Sequence, residues 1–113
     1  MAKSKQDKFN KLADKGKVLK IVPFIKHQDP ELREQAVRAL GRVGTDESMN
    51  ALIGALHDRV LPVRMAVLES LVAIKKPMAA EHIKHAYGAT SEPEFVEACK
   101  NALSVFAEMK NSR

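Results

Sequence analysis

Four histidines and a single cysteine have the widest chemical repertoire in this sequence. Glu81, His82 and His85 combine an i, i+3 pair of imidazoles with an i, i+4 Glu–His pair. Zinc accepts such a set as two or three of its ligands. The neighbouring apolar residues Ile83, Ala86 and Tyr87 point to the core, however, which leaves Glu81, His82, Lys84 and His85 as a solvated face. No metal and no other cofactor is expected. Cys99 falls in the register of Ala36 and Val67, a core position, and a thiol needs exposure and a lowered pKa to act as a nucleophile. It is read as a buried structural thiol. Ser70 has no His–acid pair in register beside it, and no glycine-rich loop resembles a phosphate cradle. No residue is a catalytic candidate, and a non-enzymatic protein is expected.

The lysines offer a different chemistry. Residues 1–20 hold seven lysines against Asp7 and Asp14, which accounts for the whole net charge of +5. Twelve basic and twelve acidic residues balance in the rest of the chain. Lys3, Lys5, Lys8, Lys11 and Lys15 are therefore the candidate anion-binding residues, with nucleic acid or an anionic membrane surface as the ligand. The plainer reading is a charged capping helix. Lysines without arginines or interleaved aromatics are a weak nucleic-acid signal, so a protein partner is favoured.

Length and composition limit the elements that can position these groups. The 113 residues suffice for one domain. Apolar residues make up 45% of the chain but aromatics only 4%, with no Trp, which suits close helix packing better than a β-sandwich. No apolar run approaches the roughly 18–20 residues of a membrane span. The N-terminal lysines precede no apolar stretch of the secretory type, and one cysteine forms no internal disulfide, so a reducing, cytoplasmic location is expected.

Helical signals run through the whole chain. Ser4 and Asp7 cap a short helix with Phe9, Leu12 and Ala13 on one face and Gly16 at its end. Val18–Ile25 is apolar at helical spacing, and Pro23 predicts a kink. Asp29-Pro30 caps the next helix, whose stripe is Leu32, Ala36, Val37, Ala39, Leu40 and Val43, closed by Gly44. Three more helices carry Met49 to Leu56, Val63 to Ile74 and Ala79 to Tyr87. Ser91-Glu92-Pro93 opens a long last helix with Phe95, Cys99, Ala102, Leu103, Phe106 and Met109. Strand-like alternation is absent from the sequence.

The pattern then repeats. Leu32, Ala36, Leu40 and Val43 recur 31 positions later as Val63, Val67, Leu71 and Ile74. A third copy, one residue further on, gives Phe95, Cys99 and Leu103. A two-helix unit of this period is the mark of a solenoid, and about three units are the minimum for stability. Val22-Pro23-Phe24-Ile25, Asp29-Pro30-Glu31-Leu32-Arg33 and Leu56-His57-Asp58 with Val63-Arg64 resemble the HEAT repeat family, in particular the short repeats of phycobilisome lyases. The resemblance implies an all-α, α-α superhelix of about three helix pairs: residues 17–44, 45–75 and 76–109, forming a repeat domain over 17–113 after a lysine-rich capping helix or tail over 1–16. It implies that Arg33, Asp58 and Arg64 tie neighbouring repeats at their turns. The third copy has Thr90 and Val96 at these places, so the tie is expected to be lost there.

The family's enzymes are a poor match. Iron-binding deoxyhypusine hydroxylases use His-Glu pairs, and no His-Glu dipeptide occurs in this chain. HEAT-like DNA glycosylases use aromatics in a basic groove, whereas this chain lacks Trp and its repeat body is neutral. The resemblance places the second helix of each pair on the concave side. Its outward residues are Glu34, Arg38 and Arg42, then Met65, Glu69 and Val72, then Glu97 and Asn101. Mixed charge around an apolar centre fits a protein partner. The expected function is a protein-interaction scaffold or adaptor. The alternatives are a nucleic-acid-associated adaptor and an accessory subunit of a larger enzyme. Val105 and Phe106 make the last helix broadly apolar, which suggests a homodimer contact.

Overall fold

A computed structural model describes residues 4–111. Each helix begins and ends where its local chemistry directs. α1 (Lys5–Asp14) is capped by Ser4, whose Oγ accepts the Asp7 amide proton over 3.1 Å. α2 (Val18–Ile21) continues into a 3-10 turn, Val22–Lys26. The bend expected at Pro23 is thus a tightening of the helix, with Pro23 in the first 3-10 turn, where its missing N–H costs least. α3 (Pro30–Val43) starts at Asp29, which accepts from the Glu31 amide, and ends at Gly44 with φ +67°. α4 (Asp46–Gly54) is capped by Thr45 and followed by a second 3-10 turn, Ala55–His57. α5 (Leu61–Ile74) ends at Lys75, which takes the same left-handed conformation as Gly44, at φ +61°. α6 (Ala79–Gly88) and α7 (Pro93–Asn111) complete the chain.

These helices form two rows. α1, α3, α5 and α7 lie side by side in one row, each packed on the next. The α2 segment, α4 and α6 form the other row, each also packed on the helix that follows it. The short dimension of 21 Å is two helix diameters of about 10 Å, so the molecule is a two-layer slab 46 Å long. α1 stands in the first row, in the position of the second helix of a pair. Phe9 reaches from it onto Phe24, ring edge to ring face, with centroids 5.0 Å apart.

The core runs between the rows without a break. Ile21, Leu40, Met49, Leu52, Leu56, Leu71, Ile83 and Phe95 are among its largest members, each at most 2% exposed. Small residues let the rows close. Gly41 of α3 faces Ser70 of α5 so tightly that a Cβ on Gly41 would lie 2.7 Å from the Ser70 Cβ. The Ser70 hydroxyl donates to the Val37 carbonyl across the same contact, at 3.3 Å. The buried stripe of α3 is narrower than the apolar pattern suggests. Leu32 and Val43 are half-buried near its ends, while Ala36, Val37, Ala39 and Leu40 carry the contact. Tyr87 corrects the expectation for α6: it is exposed, because Ala79, Ile83 and Ala86 already fill the buried face.

Candidate functional site

Two edges of the slab gather most of the polar chemistry, and the turns are the first. Arg33 enters the turn after α4 and grips Asp58 with both arms, Nε to Oδ2 at 2.8 Å and Nη2 to Oδ1 at 3.1 Å. Its remaining Nη1 donates to the carbonyls of His27 and Gln28. Asp58 Oδ1 also accepts the Val60 amide proton and so shapes the entry to α5, which has no side-chain cap of its own. One repeat further along, Arg64 pairs with Glu92 at 2.5 Å and stacks its guanidinium over Phe95, 4.7 Å from the ring centroid. The tie expected to lapse at the third repeat is therefore present, with a different acid. Glu92 stands two residues beyond Thr90, just before Pro93, where Asp29 precedes Pro30 in the first copy. That Glu-Pro step was the available signal.

The second edge is the outward face of the α1–α3–α5–α7 row. Arg38 bridges helices, hydrogen-bonded to Glu69 at 2.8 Å and to Glu34 at 3.4 Å. The Glu69 hydrogen bond raises the Arg38 pKa above its ordinary value against the opposing effect of burial, so the cation is held firmly charged. Arg42 turns the other way and binds α1, with Asn10 Oδ1 at 2.7 Å and Asp14 Oδ1 at 2.5 Å. Between α1, α3 and α5 lies a cleft of about 840 Å³ floored by Gln35, Ala39, Gly41 and Ser70. The Gln35 amide oxygen is buried there with no hydrogen-bond partner among the described residues.

A second groove, about 390 Å³, runs between α5 and α7. Met65, Leu68, Val72, Ala98, Ala102 and Val105 supply its apolar wall, with Glu69 and Asn101 as its polar members. Met65, Glu69, Val72 and Asn101 from the sequence thus meet in one place. Glu34, Arg38 and Arg42 line the neighbouring cleft, and Glu97 is exposed on α7 outside both. Sequence reasoning missed Leu68 and Ala98, and it did not place α1 beside Arg42. Nothing in a short lysine-rich helix says which row it joins.

The other candidates lie apart from these edges. Glu81 pairs with Lys84 at 3.1 Å, His82 is exposed, and His85 meets His57 ring edge to face with centroids 6.0 Å apart. Among the described residues no three His, Cys, Asp or Glu side chains are placed to hold a metal ion. Cys99 is fully buried, and that burial raises its thiol pKa despite the nearby Arg64. Lys5, Lys8, Lys11 and Lys15 are exposed on or next to α1, with Lys8 Nζ 6.0 Å from the Phe24 ring centroid, while Lys3 lies outside the described residues. Among the described residues no helix is long and apolar enough to cross a membrane. Such a surface can bind by apolar burial and charge pairing. A family model for HEAT repeats matches residues 18–104. No curated protein matches the chain.

Proposed function

The chain belongs to the HEAT repeat family, and from that premise we propose that it is a non-enzymatic interaction module whose α1–α3–α5–α7 face holds a protein partner. HEAT repeats generally serve as protein-interaction scaffolds, which sets the class. The observation that carries the choice of face is the α5–α7 groove. It collects Met65, Val72 and Val105 in an open apolar surface beside charged neighbours, the composition of a protein contact. Arg33, Asp58, Arg64 and Glu92 then hold repeats in register, and Glu34, Arg38, Glu69, Glu97 and Asn101 bias the choice of partner. Arg42 contributes indirectly by fixing α1.

Capture of partners from the native host by immobilised protein tests this. Met65→Asp and Glu69→Lys should each remove the captured protein, while Lys5→Glu with Lys15→Glu should leave it bound. The opposite pattern would transfer the function to the lysines of α1. That second reading, a nucleic-acid-associated adaptor, rests on the exposure of Lys5, Lys8 and Lys15. It requires binding of generic DNA that falls steeply with salt.

A further inference from the structure

Resting on that reading, we propose that the α5–α7 groove accepts a cationic amphipathic helix of the partner protein. Three features of the groove carry the inference. Its shape is the first. On α7, Glu94, Ala98, Asn101 and Val105 follow at i, i+4, i+7 and i+11, a straight stripe of about 16 Å. Met65, Leu68 and Val72 form the facing stripe on α5, and the trough between two such rows of modest side chains suits the apolar face of one further helix.

Charge is the second. Among the described residues no lysine or arginine lines this groove. Two arginines of the same face are already engaged, Arg38 by Glu69 and Glu34, and Arg42 by Asp14. Arg38 offsets only one of its two carboxylates. Glu94 and Glu97, both exposed and in no ion pair among the described residues, add to the surplus at the start of α7. The start of this groove is acidic although the chain as a whole carries +5, because the excess lysines lie within residues 1–20, at the other end of the row. Lys100, exposed on α7 beside Asn101, offsets one of the α7 carboxylates. Lys75 and Lys110 lie toward the far ends of α5 and α7, so the remaining acidic surplus is confined to the start of the groove. Third, Val105 is 37% exposed at the far end of the α7 stripe, leaving apolar surface for an occupant to cover.

The probe is a fluorescein-labelled peptide of about 15 residues with leucines at helical spacing and lysines elsewhere, compared with a twin carrying glutamates instead of the lysines. Fluorescence anisotropy should show the lysine peptide binding about tenfold more tightly than its twin, with the gap closing at high salt. Val105→Asp should abolish binding, and Glu94→Lys with Glu97→Lys should reverse the preference, both with circular dichroism unchanged. Equal affinity for the two peptides, or undiminished lysine-peptide binding by Val105→Asp, overturns the proposal. If neither peptide binds while Met65→Asp still loses the native partner, the face stands and the cationic helix is wrong. If Met65→Asp keeps the native partner, the choice of face itself fails.

Discussion

Asp58 accepts three hydrogen bonds, two from Arg33 and one from the Val60 amide, with its side chain only 9% exposed. Arg33 is equally enclosed, at 6%, so removing the carboxylate strands a cation where water reaches poorly. Asp58→Ala should therefore cost about 3–5 kcal/mol in urea unfolding. Glu92→Ala removes the equivalent partner of Arg64, itself only 9% exposed, but Glu92 is 51% exposed and water can replace its carboxylate, so that loss should be smaller, about 1–2 kcal/mol. Equal losses at the two positions would refute the assignment of Arg33–Asp58 as the principal tie. The partners differ in how readable they were. Arg33, Asp58 and Arg64 recur in register and stand out in the sequence, whereas Glu92 answers Arg64 from a turn with one extra residue, and only geometry shows that its longer side chain makes up the displacement.

Helix boundaries were legible wherever a cap or a stop decides them locally: Ser4, Asp29 and Gly44 act as their types dictate. The 3-10 turn at Val22–Lys26 was half-visible through Pro23, but its counterpart at Ala55–His57 contains no proline and gave no sign. Tyr87 misled for another reason. Its spacing from Ile83 and Ala86 fits a helical face, yet Ala79, Ile83 and Ala86 already fill the buried side of α6 and leave Tyr87 exposed. Contacts between helices are the least legible, and Gly41 is the clearest case. In a sequence it reads as a weak spot in a helix; in the structure it lets α3 approach α5 at Ser70. Gly41→Ala gains helix propensity of about 1 kcal/mol, but its methyl meets the Ser70 Cβ at 2.7 Å. Overpacking should win, with a net loss of about 1–3 kcal/mol. Adding Ser70→Gly should recover most of the stability lost at the contact, measured as a thermal-melt double-mutant cycle; strictly additive losses would show that the approach of α3 to α5 does not depend on this pair.

Stacking sets the behaviour of the whole. A repeat array is held by interfaces between neighbours, and about three repeats is the least that holds. Three pairs and α1 leave no redundancy, so the middle pair serves both sides: α5 packs on α3 and on α7. The family and the all-helical fold could be read from a 31-residue period because this stacking demands the same inward side chains in every copy. The residues proposed to face a partner escape that demand and carry no period. Leu71 is fully buried in the shared helix, and Leu71→Ala should cost about 2–5 kcal/mol. The form of the loss matters as much as its size. Tyr87, the single tyrosine, reports on α6 through its fluorescence, while far-ultraviolet circular dichroism reports on every helix. In Leu71→Ala both signals should shift to the same lower urea midpoint, since the outer pairs have no independent support. A Tyr87 transition that stays at the wild-type midpoint while the dichroism midpoint falls would mean that the third pair holds itself together, and that α5 is not the keystone of the array.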